Sequence, residues 1–151
     1  MKRLLPTLLL LAATGAALAA ELPYNPQADA KAEVAQALAA GKQARKPTLL
    51  IFGANWCGDC RALDTSLHSA KNAALVEQHF EVVKVDVGNW DHNIDIANSY
   101  GNPIEKGIPA AVVVSPKGKV VYTTKAGELA NARKMSDEGI YDFFSKVAKG
   151  G

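Results

Sequence analysis

The strongest periodicity in the chain lies near its end, where Ile140, Phe143, Phe144 and Val147 fall at i, i+3, i+4 and i+7. That spacing puts four apolar side chains on one stripe and predicts an amphipathic helix from Asp137 to Lys149. Ser136 is placed to cap it, and Asp137 and Glu138 suit the positive end of its dipole. A second helical face runs through Ala30, Val34, Ala37 and Leu38, predicting a helix from Asp29 to Ala40 with Gly41 as its stop. Between these two helices the period changes. Thr48 to Phe52 and Glu81 to Val87 (with Val82, Val83, Val85 and Val87) are short apolar runs of the kind that buried strands carry. Ala110 to Val114 and Val120 to Thr124 flank the turn-forming run Ser115-Pro116-Lys117-Gly118 and read as a hairpin.

Helical pieces fill the gaps: one ending near His68 with Leu63 and Leu67 facing the sheet, one over Asn72 to His79, and one over Asp95 to Tyr100 ended by Gly101. Leu22 to Gln27, with two prolines, reads as an extended lead-in, and Gly88 to Asn93 as a polar loop with one packing tryptophan, whose Trp90, Asp91 and His92 follow a parallel strand and are alternatively placed to rim a substrate groove. The order predicts an α/β fold with a central mixed sheet flanked by helices. Its early strands are joined by helices and should pair in parallel through right-handed crossovers, and the C-terminal hairpin adds an antiparallel part.

Residues 1–19 are set apart from this pattern. Lys2-Arg3 is followed by an apolar run from Leu4 to Leu18, and Ala17-Leu18-Ala19 supplies small residues around a cleavage point, so the segment reads as a secretory signal with Ala20 as the mature start. The run is short for a membrane span. The expectation is an exported, periplasmic protein with a single domain over 20–151. Lys2 and Arg3 account for the whole excess of 17 basic over 15 acidic residues, so the mature chain is formally neutral. That balance argues against nucleic acid as a partner.

The chain has two cysteines, Cys57 and Cys60, separated by Gly58 and Asp59 just beyond the first strand. A helix starting at or beside Cys57 puts its sulfur against unpaired backbone N–H groups and the positive dipole end, which favours thiolate. Cys57 is then the attacking sulfur, and Cys60, about one turn deeper, the resolving one. Asp59 should oppose the thiolate and Arg61 support it; the acidic residue points to a reduction potential in the reducing half of the usual range. Two rivals remain beside this reading. A zinc site lacks finger-type spacing, since His68, His79 and His92 are far apart. A purely structural disulfide closes so short a loop that it constrains the unfolded chain little.

The run Phe52-Gly53-Ala54-Asn55-Trp56-Cys57-Gly58-Asp59-Cys60-Arg61 resembles the F-x-A-x-W-C-G-x-C-[KR] signature of thioredoxins, and Val85-Asp86-Val87 and Gly107-Ile108-Pro109 resemble their next strand and active-site proline loop. The match in element order extends from Thr48 to Val147 and is closest to exported thioredoxin-like disulfide interchange or isomerase proteins. The resemblance implies a cis Pro109, with Ile108 offering backbone groups to an extended substrate and Trp56 an apolar contact surface. It also implies no cofactor or metal beyond a redox-active Cys57–Cys60 disulfide. Three departures accompany it: Ile51 stands where thioredoxins commonly keep a buried acid, Asp59 replaces their proline, and the segments Asn102 to Lys106 and Glu128 to Met135 are longer than in a minimal thioredoxin.

Two functions follow. The first is an exported thiol-disulfide oxidoreductase that reduces or isomerises disulfides in protein substrates, served by a membrane or soluble redox partner and acting as a monomer. The second is a peptide-binding thioredoxin-like module whose disulfide is structural. Arg133-Lys134, His68 and His79 read as solvated surface.

Overall fold

The computed structural model describes residues 22–150. The expected signal segment and its cleavage point lie outside the described residues.

Among the described residues, five helices and four strands follow one another as α1 (Ala30–Ala44), β1 (Thr48–Gly53), α2 (Gly58–Leu67), α3 (Ala70–His79), β2 (Glu81–Asp86), α4 (Ile94–Ser99), β3 (Ala110–Val114), β4 (Val120–Thr123) and α5 (Asp137–Ala148), with a 3-10 turn at Ala132–Lys134. The sheet order is β2-β1-β3-β4. β1 runs parallel to β2 and antiparallel to β3, and β3 runs antiparallel to β4. The mixed sheet has the expected pairing.

β1 explains why its sequence shows no alternation: every residue from Thr48 to Gly53 is buried. Leu50 and Phe52 point to one core with Val34, Ala37, Val85 and Val112. Leu49 and Ile51 point to the other, with Leu63, Val113, Ile140 and Phe144. Successive strand side chains face opposite sides, so a strand covered on both faces must be apolar throughout. Full burial of a side chain the size of Phe52 or Phe144 contributes roughly 1.5–3 kcal/mol. Phe143 lies at the margin of the second core, edge-on to Phe144 at 5.0 Å and to Tyr122 at 5.8 Å.

Polar ties fix α5 against α2 and α3. Ser136 Oγ accepts from the Gly139 N–H at 3.1 Å and caps α5. The Ser66 hydroxyl donates to Asp137 Oδ1 at 2.7 Å, and the buried Asn72 amide donates to the carbonyls of Ser66 and Asp137. The helix carrying the cysteines is therefore buttressed from behind.

Three sequence expectations need correction. Gly41 does not stop α1; it is buried within the helix, which runs on to Ala44 and ends on Arg45 in the left-handed region. A Cβ at Gly41 would come within 2.8 Å of the Lys46 carbonyl oxygen and still closer to Thr48 Oγ1, so close approach of helix and strand explains this glycine. Val82 is not buried but 36 % exposed. β2 is an edge strand on which only the row of Val83 and Val85 enters the core, and the opposite row carries Lys84, which pairs with Asp64 of α2. The lead-in is not extended either: it bends and turns, with the Ala28 N–H bonded to the Asn25 carbonyl, and it buries Tyr24 in the first core.

Candidate active site

β1 delivers the chain into the core and Gly53-Ala54-Asn55-Trp56 turns it outward, so that Cys57 becomes the N-cap of α2 in extended backbone geometry. Cys57 and Cys60 are joined by a disulfide with their Cα atoms 5.2 Å apart. Both are buried, Cys60 more deeply at 1 % exposure against 5 % for Cys57. Cys57 Sγ accepts the Cys60 N–H at 3.1 Å. It occupies the place of an N-cap oxygen, so a negative charge there meets an unpaired amide and the positive helix end. This arrangement favours a thiolate at Cys57 once the disulfide opens.

Across from the sulfur stands the segment leading into β3. Cys57 Sγ lies 3.5 Å from the Ile108 carbonyl oxygen, and the Ile108–Pro109 peptide bond is cis. Trp56 leaves 51 % of its surface exposed and donates from Nε1 to the Gly88 carbonyl at 2.7 Å. The loop from Gly88 to Asn93 is more than a solvated connection. It sets Trp90, 48 % exposed, against Trp56 with ring centroids 6.1 Å apart. Trp90 takes a left-handed backbone, φ 67°, which costs roughly 1–2 kcal/mol for a residue with a Cβ. The N–H groups of Trp90, Asp91 and His92 converge on the Val87 carbonyl and hold the loop in that shape. Beyond Trp90 a groove continues along Ile94, Asn102, Ile104 and Gly107.

Asp59 and Arg61 are both near the dithiol, but neither faces it as a bare charge. Asp59 Oδ1 accepts the Arg133 N–H at 2.9 Å, and Oδ2 lies 3.2 Å from Arg133 Nη2. Burial alone would raise the Asp59 pKa, yet the hydrogen bonds from Arg133, its charge and that of Lys134 hold the carboxyl below its ordinary value. Arg133 keeps 67 % of its side chain exposed, as expected of a solvated face, and also reaches the Cys57–Cys60 turn: a Cβ on Gly58 would be 3.1 Å from its Nη1. The inference of a reducing potential from an unopposed Asp59 charge loses its premise. Arg61 donates to the Asn55 carbonyl at 2.7 Å and braces the loop before Trp56.

This pairing yields a prediction with opposite signs for its two partners. Arg133→Ala leaves the Asp59 carboxylate uncompensated beside the turn and should raise the Cys57 pKa, whereas Asp59→Asn should lower it. Thiolate absorbance followed against pH in each reduced variant reads both shifts. Equal pKa values in the two variants would remove Asp59 and Arg133 from thiol tuning.

Sequence reasoning missed Arg133 as part of the site, and the Asn55 amide, which accepts the Tyr24 N–H and donates to its carbonyl and so ties the cysteine loop to the lead-in. Arg133 is 74 positions from Asp59, and no local pattern announces such a pairing. The longer segment before the last helix was the available signal, since the 3-10 turn that presents Arg133 lies within it.

A strand–CxxC–helix unit facing a proline loop on a mixed sheet defines a thioredoxin-type redox fold, and the chain belongs to the thioredoxin-like family, whose model matches residues 29–116. It is 66 % identical to the disulphide isomerase from Xylella fastidiosa Temecula1, with 85 % of this chain and 98 % of that chain covered and a TM-score of 0.84. Two more distant structures share the fold. A thioredoxin from Thermus thermophilus is 21 % identical over 78 % of this chain and 85 % of that one, with a TM-score of 0.57. The C-terminal domain of Neisseria meningitidis DsbD in its oxidised form is 22 % identical over 82 % and 97 %, with a TM-score of 0.54. No curated protein matches the chain. Fold, family and the Cys57–Cys60 pair together fit a thiol-disulfide oxidoreductase.

Proposed function

We propose that the protein is an exported thiol-disulfide oxidoreductase that reduces or isomerises disulfides in protein substrates, with Cys57 attacking and Cys60 resolving. The observation that carries this reading is the setting of Cys57 Sγ. It takes an amide N–H from the first turn of α2 and faces the Ile108 carbonyl, so a substrate sulfur approaching along the proline loop meets an activated nucleophile.

An extended substrate segment pairs its backbone with Ile108 beside Pro109, as a strand adds to a free edge, while Trp56 and Trp90 offer an apolar platform for its side chains. No cofactor is needed, because the two electrons pass between sulfur atoms. Export rests on the basic-apolar-small pattern of residues 1–19. The isomerase from Xylella fastidiosa supports isomerisation as one of the two outcomes. A soluble or membrane-bound thiol partner returns the dithiol to its reduced form.

The test is a pair of assays with the reduced protein: insulin reduction, and recovery of activity by a scrambled-disulfide substrate protein. Turnover in either supports the reading, and peptide binding without turnover in both supports the binding module with a structural disulfide. The platform has its own expected outcome. Trp90→Ala should raise KM for a peptide disulfide about fivefold, the effect of losing roughly 1 kcal/mol at an aromatic contact, with kcat little changed. An unchanged KM would take Trp90 out of the substrate surface.

A further inference from the structure

Cys60 presents a physical problem that its backbone does not solve. Its sulfur is buried in an apolar cluster that includes Ala54, Val85 and Ile108. To resolve a mixed disulfide, or to leave when the disulfide is opened, it must carry negative charge where water is excluded, which is costly without a hydrogen-bond donor. The Cys60 N–H is directed at Cys57 Sγ, not at its own sulfur.

In the disulfide form a hydroxyl lies close to it without a hydrogen bond to it. Gly53, the last residue of β1, has no side chain, and the vacant space is filled from two directions: a Cβ there would overlap the hydroxyl end of the Tyr24 ring and lie 3.0 Å from Cys60 Sγ. The phenol and the sulfur therefore crowd the same point. Tyr24 is fastened to the dithiol loop as well. Its N–H donates to Asn55 Oδ1 at 3.0 Å and its carbonyl accepts from Asn55 Nδ2 at 2.7 Å, an arrangement only one orientation of the amide satisfies. Arg61, next in sequence to Cys60, anchors Asn55 in turn.

We propose that the Tyr24 hydroxyl is a hydrogen-bond donor to the Cys60 thiolate in both directions of exchange. This rests on the assignment of Cys57 as attacking sulfur and Cys60 as resolving sulfur. Burial pushes the phenol well above its ordinary pKa, and the charges of Asp64 and Asp86 push the same way. Lys84 pairs with Asp64 and stands as the cation of that cluster. The hydroxyl keeps its proton throughout and acts as a donor, never as a base.

In the forward direction the Cys57 thiolate attacks one substrate sulfur, forming the mixed disulfide and releasing the other substrate sulfur as thiolate. Cys60 gives its proton to solvent and its thiolate, held by Tyr24, attacks Cys57 Sγ. The Cys57–substrate bond breaks, the substrate sulfur departs with the electron pair and is protonated from solvent, and two electrons have passed from the dithiol to the substrate. In reverse, an incoming thiolate attacks Cys57 and Cys60 leaves as a thiolate onto the same hydroxyl.

Tyr24→Phe removes only that oxygen. Rapid-mixing kinetics with a peptide disulfide separate formation of the Cys57 mixed disulfide from its closure by Cys60. Closure should slow about threefold, because a Cys60 pKa one unit higher cuts its thiolate fraction tenfold while the more basic thiolate is a better nucleophile, and the first step is unchanged. In a Cys57→Ser background, thiolate absorbance should show a higher Cys60 pKa when Tyr24→Phe is added. Asn55→Ala frees the Tyr24 backbone and should slow the same step, which keeps the comparison available if the Phe variant folds poorly. An unchanged Cys60 pKa, or equal slowing of both steps, would overturn the role. The Cys60 pKa needs no turnover, so a wild-type protein that never attacks substrate defeats the exchange reading separately, and the pKa comparison still decides Tyr24.

Discussion

Cys57→Ser should reduce disulfide-reductase turnover by on the order of a thousandfold or more, because a neutral hydroxyl replaces the group that attacks the substrate. The setting that favours a Cys57 thiolate does little for a serine, whose hydroxyl remains protonated at neutral pH despite the N–H of Cys60. Cys60→Ser has a different signature. Cys57 still attacks, yet nothing inside the protein displaces the substrate, so the variant accumulates as a covalent substrate complex. Non-reducing gel electrophoresis after acid quenching distinguishes the two variants. Complexes with the Cys57→Ser variant and none with Cys60→Ser would invert the assignment of the two sulfurs.

Gly53→Ala is expected to produce the second large effect, from a single added methyl group. The new Cβ collides with the Tyr24 ring and crowds Cys60 Sγ, in a place where β1 is buried on both faces and has little freedom to withdraw. Overpacking of this kind costs typically 1–3 kcal/mol. That is a substantial part of the stability of an ordinary domain, about 5–15 kcal/mol. The expelled phenol also leaves Cys60, so closure of the mixed disulfide should slow together with the loss of stability. Urea unfolding of the oxidised variant gives the first quantity and the closure rate the second. A variant as stable as the parent would show that Tyr24 moves aside without cost.

The parts of the molecule that were legible in advance are those whose cause is local. β1 and β2 announce themselves as apolar runs, α5 by its stripe and cap, and the dithiol by a spacing of three residues at a strand–helix junction. The parts that were not legible depend on contacts between distant segments. Gly41 reads as a helix stop because glycine often is one, while its real cause is the strand and turn pressed against it. Tyr24 lies in a stretch with no periodicity, and only the vacancy at Gly53 and the Asn55 amide give it a place. Trp90 reads as a loop residue at the end of the sheet where sites lie, but its contact with Trp56 depends on the positive φ of its backbone and the Val87 carbonyl. Asp59 was visible as an unusual charge, but the cation that answers it comes from another part of the chain.

If Cys57 and Cys60 form a working two-electron couple and not a structural bridge, the pair opens and closes within the reach of thiol buffers. Equilibration of the protein across graded thiol–disulfide buffers, with the two thiols counted by alkylation and mass, tests it most directly. One cooperative transition is expected, in which both thiols appear together, at a potential between about -270 and -120 mV, the span of known thioredoxin-type exchangers. A disulfide that stays closed below about -300 mV, where structural disulfides lie, would contradict it.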